Sequence, residues 1–379
     1  MVRRNAALFY FLEGLLALAG GIILPLYIVY FRLWDITLFE IAVLAVVFEG
    51  TIILFELPTG IFADKFGRKY SVVIGYVLFT LSGVIFFYFR SFIGFLIAEI
   101  LFGIAETFVS GALEALVVDS INDKKKEAGL FANRSMARTS GMLIGMVSVG
   151  FWAGEYIEYL FVPVVLIGIV MVMAGLFLVE YKSDEANEGE VKPKRSTGEI
   201  IFGNRIVLAL FAVGLMANFV YEGPDQYWQV LFEEIKKFDP AIFGYLTAGG
   251  LLIVTLTVRF TKKYYQNLTL YLWTIFVITG AALFGAVYIS SIPAVIGIIV
   301  YFAAKEFIRP AISTHLNNNL ESKSRATGLS AYNLTCSIGE VTAGLTAGVI
   351  ASELGIAVVF YISVAIAVMV PVVYRVVKR

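Results

Sequence analysis

Glu56-Leu57-Pro58-Thr59-Gly60-Ile61-Phe62-Ala63-Asp64-Lys65-Phe66-Gly67-Arg68-Lys69 decides how this chain folds. An apolar run from Thr37 to Phe62 leads into it and another, from Ser71 to Phe89, leads out. Four charges, Asp64, Lys65, Arg68 and Lys69, crowd into the turn between them. A helix that crosses lipid ends here, and a tight basic turn sends the chain back. Gly60 allows close helix contact, Gly67 permits the turn, and Asp64 and Arg68 can pair at the membrane surface.

The surrounding sequence has the composition that such a helix needs around it. Of 379 residues 59% are hydrophobic and only 15% charged, with a mean hydropathy of +0.86. A water-exposed surface cannot hide that balance. The apolar runs are long and unalternated, whereas a barrel strand needs about ten alternating residues and a spanning helix roughly 20. The chain is therefore read as all-α and integral to the membrane.

Spans are expected at Ala7 to Phe31, Thr37 to Phe62, Ser71 to Phe89, Phe92 to Ile121, Arg134 to Ile157 and Tyr159 to Val179. Six more run over Arg205 to Phe232, Pro240 to Phe260, Leu268 to Ile289, Ile292 to Asn318, Ala326 to Ile350 and Leu354 to Val376. The stretch Lys182 to Glu199 is charged, holds Pro193 and two glycines, and has no apolar periodicity, so it reads as a flexible linker. That gives an N-terminal six-helix bundle over 1–181, a cytoplasmic linker over 182–204 and a C-terminal six-helix bundle over 205–379, a layout that suggests two parallel repeats. Gly141-x3-Gly145 on the fifth span is echoed by Gly344-x3-Gly348 on the eleventh, and close helix packing is the expected role.

The net charge is zero, which gives no field directed at nucleic acid. Placement is what informs. With the N-terminus inside, the inner segments hold Arg3, Arg4, Lys65, Arg68, Lys69, Lys124, Lys125, Lys126, Arg134, Lys182, Lys192, Lys194, Arg195, Arg205, Arg259, Lys262, Lys263, Lys323, Arg325, Arg375, Lys378 and Arg379. The outer ones hold only Arg32, Arg90, Lys236 and Lys237, so both termini are expected in the cytoplasm. Cys336 and His315 are single, which rules out an intrachain disulfide and speaks against a Cys/His zinc site. The apolar stretch after Arg3 and Arg4 lacks a small-x-small cleavage pattern and reads as the first span rather than a signal peptide.

The stretch from Glu56 to Lys69 closely resembles the cytoplasmic signature of the major facilitator superfamily, G-x-L-A-D-R-x-G-R-K. Its Glu-Leu-Pro-Thr-Gly lead-in is similar to one in prokaryotic drug-efflux-like members. Ser110-Gly-Ala-Leu-Glu114-Ala-Leu-Val-Val-Asp119-Ser, Arg309-Pro310 and Arg325-Ala326-Thr327-Gly-Leu-Ser330 add to the resemblance, which covers most of the chain between Leu8 and Gly348. It implies two pseudo-symmetric halves around a central cavity lined by helices 1, 4, 7 and 10. It also implies a charge cluster of Asp64, Arg68 and Asp119 that holds the cytoplasmic side shut. Two departures stand out: Gly141-Met-Leu-Ile-Gly145 lacks the proline of many drug/proton antiporters, and the first half of helix 4 carries Glu99 where many carry an arginine. Antiport therefore does not carry over with the family.

An ionisable group at mid-bilayer costs roughly 3 kcal/mol on insertion scales, so each one needs a reason. Ten acids (Glu13, Glu49, Glu56, Glu99, Glu106, Glu114, Glu222, Asp225, Glu306 and Glu340) face three bases, Arg138, Lys305 and Arg309. The acids must face water, accept neighbours' hydrogen bonds or carry a proton. Glu106, Glu340 and Lys305 fall near the middles of helices 4, 11 and 10, and Glu99 shares a helix face with Glu106. Each is either a functional group or a buried structural charge paired with a neighbour. Glu222-Gly223-Pro224-Asp225 sets two carboxylates around a helix breaker, read either as a broken helix that binds solute or as a kink whose acids face the outer vestibule. Lys305 and Arg309 share a straight-helix face at i,i+4 and Glu306 reaches Arg309; they either neutralise nearby acids or anchor an anion. Glu13 and Arg138 lie nearer the cytoplasm, where snorkelling is easy.

No G-x-x-x-x-G-K-[ST] loop is present to cradle ATP phosphates, so transport driven by a gradient is expected, with no cofactor. The first reading is proton-coupled efflux of an amphipathic, cationic or neutral compound, with Glu106 as proton carrier and Lys305 as its modulator. The second is uptake or exchange of a small anionic metabolite through Lys305 and Arg309. The third is a membrane-embedded sensor or enzyme on a transporter fold. The expected partners are a small-molecule substrate, protons and the lipid bilayer, the expected location is the cell membrane, and a monomer suffices.

The charge asymmetry makes a topological prediction. In a Cys336→Ser background, single cysteines near Lys65, Lys125 or Lys194 should resist an impermeant thiol reagent in intact cells, and those near Arg90 or Lys237 should react. External labelling near Lys194 would overturn the six-plus-six layout.

Overall fold

A chain this apolar must satisfy its backbone polar groups internally wherever it meets lipid, which leaves helices as the economical solution. The computed structural model describes residues 2–118, 124–180, 203–261, 264–289, 292–320 and 325–378, and among these it is helical with no strand. The helices are α1 (Val2–Ile23), α2 (Tyr27–Arg32), α3 (Leu38–Phe66), α4 (Arg68–Tyr88), α5 (Phe92–Val118), α6 (Lys124–Val149), α7 (Ala153–Tyr156) and α8 (Phe161–Gly175). They continue with α9 (Arg205–Val230), α10 (Phe243–Thr261), α11 (Leu268–Tyr288), α12 (Ile292–Glu306), α13 (Ile308–Asn319), α14 (Arg325–Leu354) and α15 (Ile356–Val377). Nine helical stretches among the described residues are long and apolar enough to cross a membrane, and a tenth is the pair Ala153–Tyr159 and Phe161–Gly175, bent by 60°. Each of the twelve expected spans has a helical counterpart. Asp119, most of the 182–204 linker, and Lys262, Lys263, Lys323 and Arg379 lie outside the described residues.

Several boundaries differ from the sequence reading, the fifth span also dividing between α6 and α7. The first span divides into α1 and α2 around Pro25, which cannot donate to the helix ladder. The tenth divides at Phe307, three residues before Pro310, with the Tyr271 hydroxyl donating to the Phe307 carbonyl at 3.0 Å. α6 begins at Lys124, ten residues before the expected start, because helical hydrogen bonding continues through charged residues beyond the apolar part. By contrast α9 runs unbroken through Pro224, so of the two readings of 222–225 the broken helix is absent; the irregular turn comes later, as a π-helical stretch over Leu231–Ile235.

The chain separates into two compact units, Met1–Glu188 with Asp239–Tyr245, and Gly189–Phe238 with Leu246–Arg379. In the first, a capping box of Thr37 and Glu40 starts α3, whose helix then crosses α5, where Thr59 donates to the Thr107 carbonyl at 3.2 Å. An aromatic cluster of Tyr27, Tyr30, Phe31, Phe86, Phe95 and Phe161 fills the far end of this unit, Phe86 and Phe161 stacking at 4.4 Å. In the second, Asn204 caps α9 through Ile206 N–H at 2.9 Å, and the buried core gathers Leu210, Phe211, Phe276, Ile312, Leu316 and Tyr374.

Glycines set the closest approach in the first unit. A Cβ on Gly141 would collide with the Gly14 carbonyl, and one on Gly145 would stand 2.9 Å from the Gly21 Cα and closer still to the Leu18 carbonyl. The pair read from the sequence as a packing motif is where α6 lies backbone to backbone on α1. Replacing Gly141 or Gly145 by leucine should destabilise the detergent-solubilised protein by about 1–3 kcal/mol, as overpacking does. Gly111→Ala, whose Cβ meets nothing within 4 Å, should be neutral or stabilising. Thermal unfolding followed by tryptophan fluorescence separates the two classes, and equal midpoints would contradict the packing role.

Candidate functional site

Pro224 has no N–H to give the carbonyl four residues back, and it strains the neighbouring turn of α9. The Tyr301 hydroxyl of α12 stands at that turn, 3.0 Å from the Tyr221 carbonyl and 2.8 Å from Asp225 Oδ1. One hydroxyl proton is thus shared between a carbonyl and a carboxylate. The other carboxylate oxygen, Oδ2, accepts from Lys305 Nζ at 2.7 Å. Tyr301 and Lys305 are four residues apart on α12, so one helix face supplies both partners. Tyr301 is fully buried, while the Asp225 and Lys305 side chains each keep 29% of their surface exposed. The pair is therefore anchored on a dry tyrosine and is itself only partly covered.

Two further acids surround it. Glu222 Oε1, one helical turn before Asp225, accepts from the Gln226 amide at 2.9 Å. α14 presses on that turn: a Cβ on Gly344 would stand 2.8 Å from Gln226 Nε2 and 3.6 Å from Glu222 Oε1. Asn218 of α9 donates to the Cys336 carbonyl of α14 at 2.7 Å, tying the same two helices. Glu340, half-buried on α14, lies in the fields of Arg309 and Asp225. Buried polar atoms with no hydrogen-bond partner cluster here too, namely the Tyr221 hydroxyl and Gln226 Oε1.

Lys305 and Arg309 do not share a helix face as a straight helix would place them, because the break at Phe307 falls between them; Arg309 belongs to α13 and is exposed. Lys305 is engaged by Asp225, which withdraws its charge from the expected role as an anion anchor.

In the first unit Glu99 and Glu106 keep their seven-residue spacing on the unbroken α5, but their surroundings differ. Glu99 is 2% exposed and receives the Tyr27 hydroxyl, inside the aromatic cluster, whereas Glu106 is exposed, with Arg138 the cation whose field reaches it. Glu13, 3% exposed on α1, holds two arginines of α6: Arg138 Nη1 donates at 2.7 Å, and Arg134 Nε lies 2.8 Å away as an ion pair off the hydrogen-bonding line. Arg134 Nη1 also reaches Glu114 of α5 at 2.6 Å. Snorkelling does not describe Glu13, which is locked in place.

At the turn between α3 and α4 Gly67 adopts φ +110°, a backbone that side chains rarely tolerate. The close approach expected at Gly60 is absent among the described residues, since a Cβ there would meet nothing within 4 Å; Thr59 makes the helix contact instead. Asp64 is exposed. Glu180, at the end of the sixth span, receives the Arg68 and Lys69 backbone N–H groups at 2.9 and 2.7 Å and so caps α4. Asp119 lies outside the described residues.

Sequence reasoning missed Tyr301, Tyr27, Arg134 and Glu180. Only the i,i+4 relation of Tyr301 to Lys305 left a trace in the sequence; the others meet partners far along the chain.

The profile of the Major Facilitator Superfamily matches residues 9–304. An uncharacterized MFS-type transporter, YxaM of Bacillus subtilis, is 25% identical over 98% of this chain and 96% of its own. Multidrug resistance protein 2 of the same organism is 26% identical over 79% and 76%. Among solved structures, that of the nucleoside transporter NupG aligns with a TM-score of 0.81 and 15% identity over 99% of both chains, which shows the likeness of fold.

Proposed function

The chain belongs to the major facilitator superfamily, and from that premise we propose that it is a proton-coupled exporter of an amphipathic compound that works by alternating access. The family makes it a multi-pass membrane transporter of a small molecule rather than an enzyme; the proton, the direction and the cargo are the proposal. The observation that carries it is the Asp225–Lys305 pair, 2.7 Å apart and partly exposed, beside Glu222 and Glu340. Three carboxyls and one lysine leave the cluster short of cations, and binding a proton is the way to neutralise it in a low-dielectric bundle. A proton on Asp225 removes the charge that holds Lys305, which can then turn to Glu222, whose field it already feels. Loss of the proton to the other side restores the pair, so two arrangements of one cluster can follow two states of the transporter.

Export is supported by one relative, a multidrug resistance protein of Bacillus subtilis, together with the excess of acid over base within the spans. The same reading makes Gly60, Asp64, Gly67, Arg68 and Asp119 the cytoplasmic gate, puts both termini in the cytoplasm of the cell and needs only a monomer.

Proteoliposomes with an imposed pH gradient test the coupling. Asp225→Asn should abolish proton-driven accumulation while leaving substrate binding within about threefold, and Lys305→Gln should uncouple in the same assay. An Asp225→Asn protein that accumulates at the parent rate would pass the proton to Glu106, Glu340 or Glu222.

The gate is tested separately. Asp64→Asn should shift the resting population towards the inward-open form without loss of expression. Spin-label distances across the cytoplasmic face that match the parent would remove Asp64 from that role.

A further inference from the structure

In a helix surrounded by lipid, one face carrying two arginines and two hydroxyls needs a reason. α6 has such a face: Phe131, Arg134, Ser135, Arg138 and Thr139 follow one another at helical spacing and line an open cavity of about 460 Å³. α6 is also absent from the helices apolar enough to span on composition alone, which fits a face built to meet something other than lipid.

The chemistry of the lining is one-sided. A guanidinium offers five N–H donors and no acceptor, and the hydroxyls of Ser135 and Thr139 can donate as well. No acid is among the lining residues. The acids that face these arginines stand behind or beside them: Glu13 on α1 beneath both, Glu114 on α5 against Arg134, and Glu106 on α5 within the field of Arg138. Glu13 is 3% exposed, and both of its oxygens already face guanidinia. It is therefore closed to an incoming cation, and it fixes the two arginines in a geometry that would otherwise cost side-chain entropy to form. Arg138 uses one Nη1 hydrogen on Glu13 and keeps 49% of its side chain exposed. What is left over in the opening is a set of donors, pre-oriented and unmatched by lining acceptors.

We propose that this opening binds an oxyanion, a carboxylate, sulfonate or phosphate group, carried on an amphipathic molecule whose apolar part lies along Phe131. Arg138 is the principal contact, Ser135 and Thr139 complete the acceptor shell, and Arg134 is a positioning residue held between Glu13 and Glu114. The anionic group belongs either to transported cargo or to the headgroup of an anionic lipid. The inference rests on the transporter reading only in taking cargo as one source; the contact itself is a matter of binding.

The test uses the full chain in phosphatidylcholine nanodiscs, with naphthalene-2-sulfonate as probe and the uncharged naphthalene-2-methanol as its control. The sulfonate should bind at least about tenfold more tightly, the factor expected for one charge-assisted hydrogen bond to a preformed donor. Arg138→Gln should erase that preference. Ser135→Ala and Thr139→Val, which leave every ion pair intact and so guard against misfolding of the arginine variant, should each weaken the sulfonate several-fold. Phosphatidylglycerol added to the nanodiscs should compete if a lipid headgroup is the natural occupant and leave the probe unaffected if cargo is; either result fits the site. Equal affinity for the two probes in the parent, or an undiminished sulfonate preference in all three lining variants, overturns it. Because no gradient is involved, loss of proton coupling in Asp225→Asn leaves this result untouched.

Discussion

A charge inside the hydrocarbon layer has no water to fall back on, and that constraint organises both units of this protein. Apolar side chains contribute little to choosing between helix partners in lipid, because lipid tails satisfy them equally well. Charges and glycines choose instead. Glu13 draws Arg134 and Arg138 of α6 onto α1, and Glu114 adds α5 through Arg134. In the second unit Asp225 joins α9 to α12 through Lys305 and Tyr301. Glycines 14, 21, 141 and 145 bring α1 and α6 close enough for short ion pairs to form between them.

These ionic contacts fall into two kinds according to how dry they are. Glu13 is 3% exposed and engaged on both oxygens; parting it from its arginines would leave a buried charge uncompensated, which is strongly destabilising. The Asp225–Lys305 pair has 29% of each side chain exposed, so it is less sealed than Glu13 and parting it leaves a less deeply buried charge. The first is suited to bracing a unit that moves as a body. The second is suited to being made and broken in a cycle. Its other supports, the Gln226 amide on Glu222 and the Asn218 amide on the Cys336 carbonyl, are neutral hydrogen bonds that keep α9 and α14 together while the ionic partner changes.

How much of this the sequence discloses depends on range. Spans are local, each about 20 apolar residues long, and the helices recovered them. The Gly67 turn and the glycines of α6 are local too, and their backbone roles follow from the absence of a side chain. The breaks at Pro25 and Phe307 were hidden because hydropathy averages across them. Partners were hidden for a different reason: Asp225 meets Lys305 across 80 residues, Arg138 meets Glu13 across 125, and Glu180 meets Arg68 across 112. A census of charges told which residues needed partners, and only packing could say which partner each one had.

Pro224 shows the same dependence at the level of a single hydrogen bond. A proline inside a helix ordinarily weakens it there, yet α9 passes through Pro224 intact while the tenth span divides near Pro310. Pro58 and Pro371 likewise sit inside unbroken helices, and at Pro224 a neighbouring side chain also meets the turn. Tyr301 brings a hydroxyl to the Tyr221 carbonyl at 3.0 Å, one turn before the proline, and the same hydroxyl lies 2.8 Å from Asp225 Oδ1. One proton cannot fully serve both acceptors. A charged Asp225 draws it more strongly, since hydrogen bonds to ionised groups are roughly twice as strong as neutral ones. A neutral Asp225 returns it to the carbonyl and so to the helix. Under the proposed proton role, the firmness of α9 at its proline is therefore set by the charge of the residue beside it: a proton on Asp225 leaves the Tyr301 hydroxyl to the Tyr221 carbonyl, and its release draws that hydroxyl onto the carboxylate and loosens the turn.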